Sequence, residues 1–336
     1  MKCFVTGASG FVGANLVHEL VARGHRVKAL LRAGTDDRAL LGVKCERVIG
    51  DLLDRALLER EVRGCDWCFH TAADCRLWTR RPAEMYLTNV EGTRNVLTAA
   101  GNASCGRVVF TSTALCIGLP KPSNEKIIPA SEADNHAPGK ELGDYVQSKF
   151  QAEAVAAALF RKNALPVVIV NPTTPVGPGD HKPTPTGQLI LDFLHRRLPA
   201  YLDTGMNWVH VRDVVIGHIL AAEKGTLGQR YILGNKDGNW TMPQTFAALS
   251  EITGVPAPAK KIPRWLARRV AGANELVAHI TGRVPRVPVA GVELSRYKLW
   301  FNPAKAIREL GLPQTPPTQA FTDAVTWYRA NGYWKL

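Results

Sequence analysis

The chain opens Lys2-Cys3-Phe4-Val5-Thr6-Gly7-Ala8-Ser9-Gly10-Phe11-Val12-Gly13, and the fold turns on these twelve residues. Five residues of strand character run into three glycines, and residues 11–23 then carry apolar side chains at helical period. Each glycine has its own physical use. Gly7 permits a tight turn, Gly10 lets a pyrophosphate approach the backbone, and Gly13 lets the helix pack close to the sheet. The helix N-terminus adds unpaired N–H groups and a positive dipole end. Glycines often only turn a chain, but a strand before and an amphipathic helix after predict a dinucleotide site. Gly7, Gly10, Phe11, Val12 and Gly13 are its expected contacts.

Outward from this turn, short β-branched runs alternate with helical segments. Strands are expected at 2–6, 26–31, 46–49, 67–71, 107–112 and 166–170, with helices at 11–23, 55–62, 83–100 and 142–162. Such alternation calls for a parallel sheet covered on both faces. The expected fold class is α/β: a Rossmann doubly wound parallel sheet with a smaller, mostly helical, discontinuous substrate-binding lid. Residues 1–172 are expected to form the NAD(P)-binding domain, with a return to the sheet around 207–234 through runs at 210–215 and 230–233. Residues 173–206 and 239–336, rich in proline, are expected to form the lid. Helices 83–100 and 142–162 carry small residues on one side, a pattern suited to pairing with a second copy.

Composition narrows the class. With 46% apolar and 21% charged residues the chain is an ordinary globular protein. No run reaches the ~18–20 apolar residues that span a bilayer, and the first residues enter a strand directly, so a cytoplasmic protein is expected. Seven cysteines (3, 45, 65, 68, 75, 105 and 116) all precede residue 117, an odd and one-sided count that does not suit a disulfide framework. Cys65 and Cys68 have the spacing of a redox or zinc pair, but no second pair follows. They fit better as small buried hydrophobes. Nine histidines show no ligand spacing, so no metal is expected. The net charge of +13 is uneven: residues 260–308 hold eleven Lys/Arg against Glu275 and Glu293. A solvated face, a phosphorylated substrate and an anionic membrane surface all suit that stretch. Nucleic acid does not, because no recognition module accompanies the charge.

The end of the second strand bears on the cofactor. An NAD site usually places an acid there for the ribose 2′-hydroxyl, whereas this strand ends Leu30-Leu31-Arg32 with no acid before Asp36. Arg32 favours NADP over NAD. Asp51-Leu52 follow the third strand and are placed to meet the adenine. Tyr145 precedes Lys149 by four residues, one helical turn on the same face. The ammonium would stabilise phenolate and lower the phenol pKa. Thr111-Ser112-Thr113 end the fifth strand and set hydroxyls at the carboxyl edge, where ligands bind in open α/β sheets. Past the fourth strand, Arg76 and Trp78 are candidates to line a substrate pocket. His210 is a candidate substrate contact or a support of the lid.

Taken together, these segments resemble the extended short-chain dehydrogenase/reductases of the NAD-dependent epimerase/dehydratase group. The resemblance runs through Gly7–Gly13, Gly50-Asp51-Leu52, 70–74, 89–95, 111–114 and 145–149, nearly the whole chain. It is closest to hopanoid-associated sugar epimerases, which themselves resemble dihydroflavonol reductases, through 72–78, 168–187, 199–214 and 230–234. The resemblance implies a catalytic role for Thr113, with Ser112 beside it, because Ala114 and Gly118 reproduce the family's following pattern. It implies an acid/base role for Tyr145 and ribose binding for Lys149. It also implies cofactor contacts from Ala72-Ala73 and from Asn171-Pro172-Thr173, and homodimers formed through the two long helices. Cys116-Ile117 stand where many sugar epimerases carry Val-Tyr.

The expected chemistry is hydride transfer at a carbinol or carbonyl carbon of a small molecule, a nucleotide sugar or lipid-linked compound tied to hopanoid synthesis. An NADPH-dependent carbonyl reductase of the dihydroflavonol type is the alternative. A non-catalytic NADP sensor on the same fold is a third. The run 263–281, with Trp265, Leu266, Val270, Leu276, Val277 and Ile280, is expected to pack in the lid rather than meet a membrane.

Overall fold

The computed structural model describes residues 1–123, 126–134 and 137–335. The first half alternates as expected: β1 (Lys2–Thr6), α1 (Phe11–Ala22), β2 (Arg26–Leu31), β3 (Glu46–Ile49), α2 (Arg55–Val62) and β4 (Trp67–His70). Next come α3 (Pro82–Tyr86), a π turn (Leu87–Glu91), α4 (Gly92–Asn102) and β5 (Arg107–Thr111). A hairpin of β6 (Lys121–Ser123) and β7 (Lys126–Ile128) precedes α5 (Asp144–Asn163) and β8 (Val167–Pro172). The rest is β9 (Thr174–Val176), α6 (Pro185–Leu194), β10 (Gly205–His210), α7 (Val211–Lys224), β11 (Arg230–Leu233), β12 (Asn239–Thr241) and α8 (Met242–Thr253). After these follow α9 (Arg264–Thr281), α10 (Val289–Leu294), β13 (Lys298–Leu299), α11 (Ala304–Leu310) and α12 (Pro317–Ala330).

Seven strands form one parallel sheet in the order β11-β8-β5-β4-β1-β2-β3. This is the doubly wound arrangement, with the strand order reversing between β1 and β4. Buried apolar side chains cover both faces. Leu16, Val17 and Leu20 of α1 join Val214, Val215 and Ile219 of α7 on one side, while Leu58, Val96, Leu97, Ala152 and Ala156 fill the other. The inner strands β1, β4, β5 and β8 are near-continuous apolar runs because neither face meets water, whereas the edge strand β3 buries only Val48. Cys65 and Cys68 lie in this second layer, with thiols pushed up by burial.

A second sheet departs from expectation. The run 210–215 does not return to the main sheet: β10 ends at His210, and α7 begins at Val211. β10 pairs instead with β12, β13 and β9 in a separate four-stranded sheet. The His210 side chain accepts a hydrogen bond from the Arg212 N–H at 2.9 Å, and this cap starts the helix at the point where an apolar pattern alone reads as strand. Arg230–Leu233 does join the main sheet, as its edge strand beside β8. Around the second sheet, Phe193, Phe246, Trp208, Phe321 and Tyr328 make a core of their own.

The expected packing of 263–281 is also corrected. α9 forms, but Trp265, Leu266, Val270, Leu276, Val277 and Ile280 are exposed, and Ala267, Ala271 and Ala278 are the residues it buries. Among the described residues no helix is long and apolar enough to cross a membrane.

Candidate active site

The site begins at the point where the strand order reverses. Gly7 has φ +69°, and a Cβ there would lie 2.6 Å from the Ala72 backbone nitrogen, so the glycine turn presses against the chain leaving β4. A Cβ on Gly13 would come within 2.1 Å of the Gly7 carbonyl oxygen and 2.7 Å of Thr71 Oγ1. By contrast, a Cβ on Gly10 meets only the Gly7 oxygen, at 3.3 Å, which leaves the approach to the turn open. The residues present fit a dinucleotide at this edge: an open glycine turn, the N-terminus of α1, and buried polar atoms without a strong partner farther along.

A relay of hydrogen bonds fixes the two loops that flank the turn. The Ala72 N–H donates to Thr6 Oγ1 at 3.3 Å, and Thr6 Oγ1 lies 2.7 Å from His70 Nδ1. His70 Nε2 lies 2.9 Å from Thr93 Oγ1, whose proton goes to the Asn89 carbonyl at 2.6 Å. This order assigns the His70 proton to Nε2. Burial pushes His70 down to about 3, so the ring is neutral and serves as a rigid bridge.

Asn89 extends the clamp. Its Oδ1 accepts from the Asp74 N–H at 2.7 Å, and its Nδ2 donates to the Asp74 carbonyl and to Ser148 Oγ, each at 2.9 Å. Asn89 thus ties the loop after β4 to α5 between Tyr145 and Lys149, from a π turn of the kind often found at functional sites. Asn89→Ala should lower stability by about 1–3 kcal/mol, because the Asp74 N–H and C=O lose buried partners. Urea unfolding would show this as a lower midpoint at unchanged slope.

At the neighbouring strand ends sit the hydroxyls. Thr113 is buried and caps a short turn, its Oγ1 accepting from the Leu115 N–H at 3.4 Å. Tyr145 stands in the first turn of α5. Burial pushes its phenol well above the ordinary value, and a hydrogen bond with Thr113 opposes that shift only in part. The expectation that Lys149 would lower this pKa is not met. The Lys149 ammonium is buried, donates to the Thr111 carbonyl at 2.7 Å and lies 4.6 Å from the centre of the Phe110 ring. Desolvation lowers Lys149 itself to about 8. Tyr145 is held protonated.

Asn171 lies across from Thr113 at the end of β8. Its Nδ2 donates to the Thr113 carbonyl and to Glu153 Oε2, both at 3.0 Å. Arg230 holds the other Glu153 oxygen at 3.3 Å. Two buried side-chain oxygens in this region lack a strong partner: Asn171 Oδ1 has none, and Ser112 Oγ has only the weakly bonding Cys116 thiol beside it. Buried polar atoms are nearly always satisfied, so these two oxygens at adjacent strand ends are suited to meet a ligand.

The structure places the other expected contacts as follows. Asp51 is exposed and accepts from the Leu53 N–H at 2.9 Å, while Leu52 is buried beneath Gly92. Ala73 is exposed beside the glycine turn, whereas Pro172 is buried at the end of β8. Thr173 spends its hydroxyl on Asn207 Oδ1 at 2.9 Å, locking the main sheet to the second one. Arg76 is paired with Asp74, and Trp78 packs edge-on against His279 with ring centres 5.3 Å apart. His210 has no free nitrogen: Nδ1 takes the Arg212 N–H and Nε2 meets Asp323 at 3.0 Å. It caps α7 and pairs with α12, which suits the support role of the two expected for it. Arg32 is exposed and makes no ion pair among the described residues, while Asp36 and Asp37 are held by Arg38 and Arg47. Asn89 and Glu153 escaped the sequence reading because they act on backbone groups and on other side chains distant in sequence. The one signal for Asn89 was its place in the 89–95 segment.

A doubly wound sheet that gathers a glycine turn, a threonine, a tyrosine and a lysine at its switch-point edge defines a dinucleotide-dependent enzyme of the extended short-chain dehydrogenase/reductase type. The profile of the NAD dependent epimerase/dehydratase family matches residues 3–234, and the chain belongs to that family. A Synechocystis protein provisionally named dihydroflavonol 4-reductase is 44% identical, over 99% of this chain and 96% of its own. Sterol demethylase protein B of Methylococcus capsulatus is 35% identical over 99% of both chains. The crystal structure of gox2253 superposes with a TM-score of 0.85 at 40% identity, covering 99% of each chain. The protein is thus an enzyme of the oxidoreductase and epimerase kind, and a role as a mere sensor is set aside.

Proposed function

We propose that this enzyme reduces a carbonyl carbon of an apolar small molecule, or oxidises the matching alcohol, with NADP as the favoured cofactor. The observation that carries this reading is the protonated Tyr145 beside Thr113, at a strand edge with two buried oxygens that lack a strong partner. Gly7, Gly10, Phe11, Val12 and Gly13 would hold the cofactor phosphates. Arg32, Asp51, Leu52, Ala72 and Ala73 would line its adenosine end, and Lys149, Asn171, Pro172 and Thr173 its nicotinamide end. A bound nicotinamide supplies or accepts a hydride at its C4.

Tyr145 donates its phenolic proton to the substrate oxygen as negative charge grows there, and Thr113 Oγ1 orients that oxygen. Ser112 stands next to it. A buried phenol kept protonated suits the reductive direction, in which the enzyme gives a proton. Lys149 sits one turn away with its ammonium on the Thr111 carbonyl, and its part is to hold the cofactor ribose. The surroundings are apolar: Leu77, Leu115, Leu119, Leu142 and Leu294 cluster around Tyr145. Arg76 and Trp78 stand at the rim. Relatives named for a dihydroflavonol and a sterol support an apolar substrate.

A second reading, epimerisation of a sugar linked to hopanoid lipid synthesis, is favoured by the resemblance in 168–187 and 199–214. Supplying NADPH with carbonyl compounds separates the two: net loss of reduced nicotinamide absorbance supports reduction, and isomerisation without loss supports epimerisation. Arg32→Ser should weaken NADPH binding by roughly ten- to a hundredfold and leave NADH nearly unchanged, the value of a charged hydrogen bond of about 1.5–3 kcal/mol. Equal losses for both cofactors in a fluorescence titration would refute the NADP preference. The small-residue patterns on 83–100 and 142–162 support a homodimer through α4 and α5.

A further inference from the structure

Helix α9 turns its small residues inward and its large apolar residues outward. Ala267 and Ala271 pack with Val292, Leu202, Ile262 and Val289. Facing solvent are Trp265 at 68% exposure, Leu276 at 64% and Ile280 at 77%, and Val284 continues the patch at 71%. A water-facing helix normally shows the reverse pattern, and a row of exposed large apolar residues along one helix face suits a surface that docks on something.

The charge around the patch says what. Lys260, Arg264, Arg269, Arg283 and Arg286 are exposed and make no ion pair among the described residues. The two acids of the region are already engaged. Glu275 accepts from the Val289 N–H at 2.7 Å, and Glu293 is held by Arg268 and Arg296. A second copy docking here about a twofold axis would bring these five cations against their own counterparts, more than Glu141 and Glu293, which line the hollow beside Arg264 and Trp265, can offset. An anionic surface complements them.

We propose that α9 seats the enzyme on an anionic lipid bilayer. Trp265, Leu276 and Ile280 enter the boundary between headgroups and acyl chains, and the surrounding arginines meet lipid phosphates. Apolar residues on one face with cations beside them, and a tryptophan at the interface, are the marks of a helix lying in the membrane plane. The location gives docking a use. His279 of α9 packs on Trp78, and Ala290 of α10 sits against Gly143, two residues before Tyr145. The docked face therefore borders the rim of the proposed site, and an apolar substrate dissolved in the bilayer has a short route to it; this last clause rests on the function proposed above.

The test is flotation of the full chain with vesicles of phosphatidylcholine alone or mixed with phosphatidylglycerol. The protein should float with the mixed vesicles, not with phosphatidylcholine alone, and be released by salt. Arg269→Ser and Arg283→Ser should each cut partitioning by about fivefold. The triple variant Trp265→Ser, Leu276→Ser, Ile280→Ser should cut it well over tenfold. All of these side chains are exposed, so circular dichroism and NADPH binding should match the parent, which separates lost docking from lost fold. No flotation, or flotation equal in parent and variants, overturns the proposal. A dimer in light scattering that the triple variant dissolves overturns it in favour of a second copy. Vesicle binding is read without turnover, so an enzyme that floats but reduces no carbonyl contradicts only the proposed function.

Discussion

Tyr145→Phe should lower turnover by about a thousandfold while leaving cofactor affinity within a factor of two or three. The size follows from the part assigned to the phenol. Positioned proton transfer typically contributes 10²–10⁴ to the rate, and no other acid in contact with Thr113 takes its place. Cofactor affinity stays because the residues expected to hold the dinucleotide lie on the glycine turn and strand ends, not on the Tyr145 hydroxyl. The substitution removes one oxygen from a half-buried ring whose packing against Leu142, Val146 and Leu294 persists, so the fold survives. The direction of the pH dependence is also set. Burial raises the phenol's pKa, so Tyr145 stays protonated through neutrality and its donor form is lost only at strongly alkaline pH. A carbonyl reduction assay, with nucleotide fluorescence for affinity, checks both parts. Turnover near that of the parent would remove Tyr145 from the mechanism.

Lys149→Met should abolish activity yet make the free protein more stable at neutral pH. Desolvation lowers this lysine from 10.5 to about 8, a difference of about 3 kcal/mol against the charged, folded form. The unfolded chain binds the proton more tightly than the folded one. The penalty is therefore full below pH 8, is relieved as pH rises from 8, and is gone above 10.5. Methionine fills a similar volume without the charge. It gives up the hydrogen bond to the Thr111 carbonyl and the contact with Phe110, a loss of about 1 kcal/mol. The net expectation is a gain of about 2 kcal/mol at pH 7 that shrinks above pH 8 and changes sign at about pH 10. Urea titrations across that range test it. A destabilised variant at pH 7 would mean that the ammonium is better solvated than its burial implies. The lysine is a cost to the fold that only function explains.

Much of the fold was legible because parallel, doubly covered strands leave an unmistakable pattern. Lys2–Thr6, Arg26–Leu31 and Glu46–Ile49 were placed to the residue, since each is a short β-branched or apolar segment closed by turn-forming residues, although in the third only Val48 is buried. The second sheet was not legible. β10 opens Gly205-Met206-Asn207, poor strand formers held there by Asn207, whose Nδ2 donates to the Asn235 carbonyl and to Asn239 Oδ1. The run that looked like a strand became α7 because the His210 side chain caps it. The π turn at Leu87–Glu91 was hidden for a similar reason: Asn89, within it, bonds to Asp74 and Ser148, far away in sequence. α9 shows the limit of periodicity. The pattern revealed an amphipathic helix, but three alanines sufficed to pack it, and the side of the large residues faces solvent.

The candidate site was legible in part as well. Tyr145, Lys149 and Thr113 stood out by spacing and by their place at a strand edge, and the structure brings them to one edge with Ser112 and Asn171. What sequence missed is the support: Asn89, His70 and Glu153 hold loops through backbone carbonyls and buried partners. It also gave the wrong sign for the phenol. One turn of helix puts a lysine near a tyrosine, but burial outweighs that proximity once the ammonium is turned to the Thr111 carbonyl.

The most direct test of hydride transfer at this edge uses NADPH deuterated at C4, supplied with a panel of apolar ring ketones that includes a dihydroflavonol. Mass spectrometry of the alcohol product should find deuterium on the carbinol carbon with the parent enzyme and essentially no product with Tyr145→Phe. Product without deuterium, or labelled product formed by Tyr145→Phe at the parent rate, would contradict the account.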